Sequence, residues 1–489
     1  MVVTPLAKHK KIGKDVIPPY AELLRKANVQ RGDWTGERLP QMLWAALLIA
    51  AVGRDEALER FRRLAQYISD RSDGDEECGK VLRYVTLSGL TKWNDEDFAG
   101  FVAAVIGGAG AIFSDLLRFD DLPGKERWVA VVPPPGDSLD LLKRAIAFTI
   151  WHQTQEATDI RWMKVFAATV SGTFHLPTKE HYDEILDYPN HGDMHKVRPG
   201  IRSKEGAIDM MPPGIVSDWP KRFWKQAYDL TKADHVRYSP EPAAGPSTIT
   251  PEEAKRVRDA LLAHCEATTA DTSVDPRHEA CFGFACYALT LLCEALTGEN
   301  ASSINGRQIL RSLTEVLINF SVLAKRDETD RWQAFRNYGY GQAKLAYLKA
   351  LESEEVPTFA TIESLEGLSN EDVWHEFREI HIGNWNDSDL RTMSESVGLK
   401  DQVYDKYYDW SSAFVHGNWA AIRDACYDLC LNPLHRLHRV LAVEPKRLSD
   451  VVADAVHVVN KILALVDALY PPFAERFVEP ARPPAVEGS

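Results

Sequence analysis

The stretch QMLWAALLIAAVG, residues 41–53, decides the fold class because it is apolar on every side of a helix. Such a helix has no solvent face, so it is typical of a helix buried in a large core. Residues 54–69 follow Gly53 directly and repeat apolar side chains at three- and four-residue steps, as an amphipathic helix does. Two helices joined by so short a turn predict an αα-hairpin.

The same helical periodicity recurs through most of the chain. We expect further helices at residues 81–87, 95–117, 138–152, 251–267, 281–296, 307–325, 331–352, 371–380, 404–416 and 448–469. One short strand is predicted at 129–132, and neither a series of alternating strands nor a repeat of fixed period is present. The sequence therefore predicts an all-α protein made of two helical-bundle domains.

A proline-rich stretch separates the two predicted domains. The chain has 489 residues, which is longer than a domain with a single hydrophobic core usually is. The stretch SPEPAAGPSTITP at 239–251 contains four prolines, as a linker does. Thr250, Pro251 and Glu253 form a helix start with an N-cap, a first-turn proline and a capping box. We therefore predict an N-terminal helical domain (1–238), a linker (239–251), a C-terminal helical bundle (252–475) and a polar, proline-rich tail (476–489).

Acidic residues outnumber basic ones, with a formal net charge of −14. Residues 351–410 contain fifteen Asp and Glu against four Lys and Arg, so this acidic segment alone contributes −11. Phosphate binding depends on clustered cations, so the balance argues against an extended nucleic-acid surface. The acidic segment instead suits a basic protein partner.

Cysteine usage and hydropathy indicate a cytoplasmic protein. The seven cysteines are odd in number and form no CxxC pair, which is typical of reduced thiols. The basic residues near the start of the chain lead into no apolar leader segment, and the longest uncharged run, 98–114, is short for a membrane span of about 20 residues. We expect no membrane partner.

Histidines and aspartates cluster between residues 175 and 195: His175, His181, Asp183, His191, Asp193 and His195. Pro189 and Gly192 favour a loop here, and no HExxH framework completes a metal site. We expect solvated loop histidines, with neither a metal nor a cofactor. A metal hydrolase built on this stretch stays open as a third hypothesis.

The segment YDKYYDWSSAFVHGNWAAIRD, residues 404–424, carries the strongest candidate site. On one helix face, Asp405, Asp409, Ser412 and His416 would form a polar stripe. The following Gly417 is the residue type that ends helices in the left-handed conformation. The alternative is that His416 only caps the last carbonyls of the helix.

A second helix, GRQILRSLTEVL at 306–317, carries Arg307, Arg311 and Glu315. An arginine and a glutamate four residues apart form a helix-surface ion pair worth about 0.3–0.5 kcal/mol. If Arg311 and Glu315 are instead buried beside His416, they belong to a functional site.

These residues give the second half of the chain a resemblance to a known family. The residues that carry the resemblance follow one another in a fixed order along the chain. They are Arg307, Arg311 and Glu315, then Arg331-Trp332 with Tyr338, then Trp385 and Val397-Gly398-Leu399, and finally Tyr408 with Ser412-x-x-x-His416-Gly417. Over residues 257–441 the pattern resembles the bacterial domain-of-unknown-function family 5677, which in turn is similar to the HEPN helical domains.

Many HEPN domains are ribonucleases of toxin and phage-defence systems, with an Arg-x(4–6)-His motif on one helix. No arginine precedes His416 at that spacing, so the resemblance implies that Arg311 supplies the positive charge from another helix. It implies a metal-independent endoribonuclease: His416 as general acid or base, Arg311 as phosphate stabiliser with Glu315 beside it, and Ser412 as orienting residue.

The expected function is therefore that of a bacterial antiviral defence or stress-response protein that acts on RNA. The alternative is a non-catalytic interaction or scaffold module of a defence or toxin–antitoxin system, which docks a basic protein partner on 351–410. Self-association is compatible with both hypotheses.

Overall fold

The computed structural model describes residues 5–26, 33–191, 194–209, 217–234 and 249–479. These residues form two compact units. Unit 1 contains the described residues up to 234 together with Leu429–Val440, and unit 2 contains the described residues 249–428 and 441–479. Most of the predicted linker, 239–248, lies outside the described residues. Leu429–Val440 belongs to unit 1, although the sequence placed it within the C-terminal bundle.

Unit 1 is helical. Its α-helices are α1 (Pro19–Lys26), α2 (Leu39–Gln41), α3 (Leu43–Val52), α4 (Arg54–Ser72), α5 (Glu76–Leu82), α6 (Leu87–Leu90), α7 (Asp95–Phe101), α8 (Lys125–Val131), α9 (Asp140–Thr149), α10 (Gln155–Val170), α11 (Lys179–Leu186), α12 (Met194–Asp209) and α13 (Trp219–Asp229). Turns of 3-10 helix occupy Leu6–Lys8 and Gly110–Arg118, and π-helical turns occupy Trp34–Arg38 and Val102–Ile106. Strands β1 (Lys10–Ile12) and β2 (Asp15–Ile17) pair antiparallel, with Lys11 opposite Val16.

The core of unit 1 is centred on α3, which confirms the buried helix predicted from residues 41–53. Leu43 to Leu48 are fully buried, and the helix ends at Gly53 with φ of +85°. The indole of Trp44 packs edge-on against Phe61 of α4 and donates from Nε1 to the Val85 carbonyl at 2.8 Å. This bond satisfies the polar atom of a fully buried side chain.

Unit 2 is helical as well. Its α-helices are α14 (Pro251–Thr268), α15 (Pro276–Ala295), α16 (Ile304–Arg326), α17 (Thr329–Glu352), α18 (Ile362–Ser369), α19 (Leu390–Ser396), α20 (Asp409–Val415), α21 (Trp419–Cys426) and α22 (Val452–Leu469). Asn300–Ser302 and His375–Phe377 are 3-10 turns, and Lys400–Tyr408 is π-helical. Strands β3 (Tyr427–Leu429) and β4 (Arg439–Leu441) form a two-stranded sheet.

The core of unit 2 is formed by α14, α15, α16 and α22, with α17 and α20 packed around them. Thr250 caps α14 as predicted, because its hydroxyl accepts from the Glu253 N–H at 3.2 Å. Phe477 is buried against this core, and the backbone of Phe477 exchanges two hydrogen bonds of 2.9 Å with the Asn460 amide. Packed structure therefore extends into the predicted tail, of which 480–489 lie outside the described residues.

Three local predictions were wrong. The predicted helix at 81–87 does not form, because α5 ends at Leu82 and α6 begins only at Leu87. Of the predicted strand at 129–132, residues 129–131 belong to α8, and Val132 is the extended residue that ends this helix. Trp128 of α8 is 1% exposed, and tertiary packing overrides the β propensity of the valines. The helix predicted at 371–380 is only the 3-10 turn His375–Phe377, in which Phe377 is exposed. A helix without an apolar face to bury is marginal in water.

Within the described ranges, no single helix has both the length and the apolar character needed to cross a membrane. The segments Asp95–Ile106 and Gly110–Arg118 are long and apolar enough to cross a membrane only when taken together, and the two are bent by 115° to each other.

Candidate functional site

The helix that carries the candidate histidine ends as the sequence predicted. Lys400–Tyr408 continues directly into α20, and His416 is the C-cap, with its backbone N–H donating to the Ser412 carbonyl at 3.1 Å. Gly417 follows with φ of +57°. The left-handed glycine therefore terminates the helix, and it leaves the imidazole of His416 exposed at the end.

The first half of this segment is π-helical rather than α-helical, which alters the predicted polar stripe. A π-helix bonds residues five apart, so side chains four apart are not stacked as on an α-helix. Asp405 lies 3.8 Å from Lys400, on the preceding turn. Partial desolvation raises the pKa of Asp409, and the Asp405 carboxylate adds to that shift.

Arg311 of α16 is held against the π-helical segment. Its Nη2 donates to the Tyr408 hydroxyl at 2.8 Å and lies 3.0 Å from Oε1 of Glu315. The guanidinium also lies 4.8 Å from the centre of the Tyr408 ring, a cation–π distance. The side chains of Arg311 and Glu315 are 18% and 35% exposed, so the ion pair is partly buried. Burial, followed by the Glu315 charge, raises the pKa of Tyr408.

Arg307 lies one turn earlier on the same face of α16. Its Nη2 donates to the Ser449 carbonyl at 2.8 Å, and its guanidinium is 5.8 Å from the Phe414 ring of α20. Burial lowers the pKa of Arg307. Nη1 of Arg307 and Nε of Arg311 are buried without a hydrogen-bond partner in the described part of the chain. Arg307, Arg311, Tyr408 and Phe414 together are called the arginine face below.

The structure brings some of the predicted site residues into contact and leaves others apart. Arg311 and Glu315 are paired, and α20 with Ser412 packs against α16. Among the described residues, no hydrogen bond or ion pair of Arg311 reaches Ser412 or His416. The sequence did not foresee Tyr408 as the partner of Arg311, because their 97-residue separation gives no local signal.

The histidine stretch at 175–195 contains two helix segments rather than one loop. His181 lies in α11, where its Nδ1 is 2.6 Å from the Thr178 hydroxyl, and His195 lies in the first turn of α12. The expected loop position of His195 is therefore wrong, while Asp193 lies outside the described residues. The described part of the stretch holds no group of three converging ligand atoms.

A different group of potential metal ligands does converge, and the sequence analysis did not identify it. Cys430, His435 and His438 belong to unit 1, and their ligand atoms lie within 4.8 Å of one another. The spacing Cys-x4-His-x2-His was the available signal, since three such side chains within nine residues are unusual.

The fold defines an all-α protein, and the arginine face gives unit 2 a candidate anion-binding site. Residues 278–427 match the model of a family described as "Family of unknown function (DUF5677)". The matched range contains both arginines, Glu315, Ser412 and His416, so the family resemblance inferred from the sequence is confirmed for this part of the chain. No curated protein and no solved structure matches the chain.

Proposed function

We propose that unit 2 is a HEPN-like endoribonuclease that works without a metal, in a cytoplasmic bacterial defence or stress-response protein. His416 acts as general acid or base at the 2′-hydroxyl or the leaving oxygen. Arg311, oriented by Glu315 and Tyr408, stabilises the charge that develops on the phosphate. Ser412 orients the histidine.

The observation that supports this proposal is the pair of unpartnered arginine donors. Buried guanidinium N–H groups without acceptors are costly, and a bound anion would satisfy them. Arginine is also the residue best suited to phosphate, because its planar donors match the phosphate oxygens. The arginine face therefore has the chemistry of a phosphodiester site.

The position of His416 supports the same proposal. The imidazole is exposed at the end of α20, so it can meet a large substrate from solvent. In the proposed reaction His416 transfers the proton and Arg311 binds the phosphate, the two roles that RNA cleavage without a metal requires.

The test is cleavage of total RNA by the purified full chain, with and without EDTA. We expect EDTA-resistant cleavage, and a loss of about 100-fold or more in His416→Ala, the usual contribution of general acid–base catalysis. His381→Ala is the matched control, since His381 is another solvent-accessible histidine of unit 2, paired with Asp387 at 3.0 Å. Equal cleavage by His416→Ala and wild type, or none by either, contradicts the proposal.

A second candidate function is the non-catalytic module, and one observation favours it. The acidic segment 351–410 exposes large apolar side chains, with Phe359 91%, Trp374 59% and Phe377 75% exposed. Apolar side chains surrounded by carboxylates suit a basic amphipathic protein segment.

This second function is tested with a lysine-rich amphipathic helical peptide as probe, measured by fluorescence anisotropy. We expect salt-sensitive binding that is weakened about tenfold or more by the double variant Trp374→Ala, Phe377→Ala, because exposed aromatic anchors carry most binding energy. Tyr287→Ala is the control, since Tyr287 is 54% exposed outside the acidic segment. Equal affinity of the peptide for the wild type and for the double variant would contradict this function.

A further inference from the structure

Three side chains of unit 1 direct ligand atoms toward one point. Sγ of Cys430 lies 3.7 Å from Nδ1 of His435, and His438 completes a group whose ligand atoms are all within 4.8 Å of one another. Cys430 is fully buried and His435 is 5% exposed, so two of the three ligand atoms are held away from bulk solvent.

We propose that Cys430, His435 and His438 bind one zinc ion, with water as the fourth ligand. A tetrahedral zinc with Zn–S of about 2.3 Å and Zn–N of about 2.0–2.1 Å places sulfur and nitrogen about 3.6 Å apart. The observed separation of 3.7 Å between Cys430 and His435 matches that value. One thiolate and two imidazoles form a donor set of the kind that zinc prefers.

The hydrogen bonds around the histidines orient both rings for coordination. Nε2 of His435 lies 3.0 Å from the Thr231 carbonyl, which can only accept, so this nitrogen carries the proton and Nδ1 presents its lone pair to Cys430. Nδ1 of His438 lies 3.3 Å from the His435 carbonyl, which leaves the lone pair on Nε2. Metal-bound histidines characteristically donate their second ring N–H in this way.

Further contacts fix the position of the cysteine. The Asp234 backbone N–H points at Sγ of Cys430 from 3.4 Å. This contact holds the sulfur in place beside His435. Thr231 and Asp234 also line a surface depression of about 410 Å³.

The loop between Cys430 and His438 is held in an unusual conformation. Arg436 and Leu437 have φ of +56° and +52°, in the left-handed region that residues other than glycine rarely adopt. They follow the 3-10 turn Pro433–His435 and bring the chain back, so that the Cys430 N–H donates to the His438 carbonyl at 3.0 Å. Such strain persists where the surroundings enforce it, and it clusters at functional sites.

A cysteine-to-histidine hydrogen bond alone explains less of this geometry. It accounts for the 3.7 Å contact between Cys430 and His435. It does not account for His438 joining the same group. Nor does it account for both histidines having one ring nitrogen next to a backbone carbonyl. The proposal stands apart from the ribonuclease function, because the three ligands lie in unit 1 and the arginine face lies in unit 2.

The experiment measures zinc in the purified full chain by plasma mass spectrometry, after expression in zinc-supplemented medium without an affinity metal column. We expect about one zinc per chain in wild type, and at least a tenfold lower content in Cys430→Ser and His438→Ala, since each removes a ligand. Cys426→Ser is the matched control, because Cys426 is an exposed thiol outside the cluster, and it should keep the full zinc content.

Cobalt provides the second measurement. Cobalt added to the apo protein should produce the near-ultraviolet thiolate-to-cobalt absorption in wild type and Cys426→Ser, and Cys430→Ser should lose that absorption. Circular dichroism shows whether His438→Ala, which keeps the buried thiol, is folded. If it is folded, its loss of metal cannot be due to unfolding. Folded wild type without zinc and without the cobalt absorption overturns the proposal, as does a full zinc content in folded His438→Ala. Zinc that persists in Cys430→Ser also overturns it and points to the 175–195 histidines instead.

Discussion

Nη2 of Arg311 donates to the hydroxyl of Tyr408 at 2.8 Å, and through this bond α16 holds the π-helical segment that leads to His416. The same guanidinium pairs with Glu315 at 3.0 Å. Arg311 is thus oriented from two sides by groups that leave its buried Nε without a partner.

Removing the tyrosine hydroxyl should weaken this connection. We expect Tyr408→Phe to lower the free energy of unfolding of unit 2 by about 1 kcal/mol, the usual net value of one hydrogen bond. Tyr404→Phe is the control, since Tyr404 stacks on Tyr408 with ring centres 4.9 Å apart while the bond to Arg311 stays intact. Urea denaturation measures both variants, and equal effects would argue against a special role of the Arg311 bond.

A buried charge network in unit 1 should be sensitive to the loss of one member. Glu205 is fully buried, with Oε1 2.7 Å from Nζ of Lys164 and Oε2 2.5 Å from Nη1 of Arg38. We expect Lys164→Met to destabilise unit 1 by about 3–5 kcal/mol, because it removes a counter-charge from the buried carboxylate of Glu205.

The control for Lys164→Met is Lys80→Met. Lys80 also pairs with two carboxylates, Glu76 and Glu77, but at the surface. Its replacement should cost about 1 kcal/mol or less, as surface ion pairs do. Urea denaturation of both variants measures the contrast, and similar small losses would mean that the buried pair contributes no more than an exposed one.

The ion pair between Arg277 and Asp327 should make stability depend on acid pH. The two hydrogen bonds from Arg277, 2.6 and 2.8 Å long, hold the pKa of Asp327 below its ordinary value. A carboxyl whose folded pKa is depressed stabilises the fold above its unfolded pKa, about 3.9, and that contribution is lost as pH falls through the folded pKa.

The matched substitution is Asp327→Asn, because asparagine also tolerates the φ of +45° at this position and keeps an acceptor for the Trp332 indole. We expect a loss of about 1 kcal/mol near pH 7, since the pair is partly exposed and screened. The difference from wild type should shrink below pH 4 and vanish once Asp327 is protonated. A difference that is constant from pH 7 to pH 2.5 would show that the charge of Asp327 is not its cause.

The cysteines should differ in reactivity by their burial. Burial raises the pKa of Cys281 to about 12, whereas Cys426 is exposed. At pH 8 iodoacetamide should therefore modify Cys426 and leave Cys281 unmodified, because only the accessible thiolate reacts. Peptide mass spectrometry measures both sites, and unfolding in urea should make Cys281 reactive. Rapid modification of Cys281 in the folded chain would contradict the buried environment.

Part of this structure follows from the sequence alone. Residues 43–52 are apolar on every side, so only a buried helix accommodates them, and α3 has that role. Thr250 and Gly417 mark a helix start and a helix end by local chemistry, a hydroxyl that caps N–H groups and a residue that tolerates positive φ. The all-α class and the family of residues 278–427 follow from the same kind of local pattern.

Other features depend on the tertiary structure, because they are contacts between residues that the local sequence around each residue does not predict. Arg311 meets Tyr408 across 97 residues, and only the packing of α16 against the following helical segment sets that distance. The predicted helix at 371–380 does not form because no core takes up an apolar face there. Cys430 and His438 converge because Arg436 and Leu437 adopt left-handed conformations that their residue types disfavour. Local propensity is a weak preference of each residue, whereas these contacts depend on the free energy of the whole packed unit.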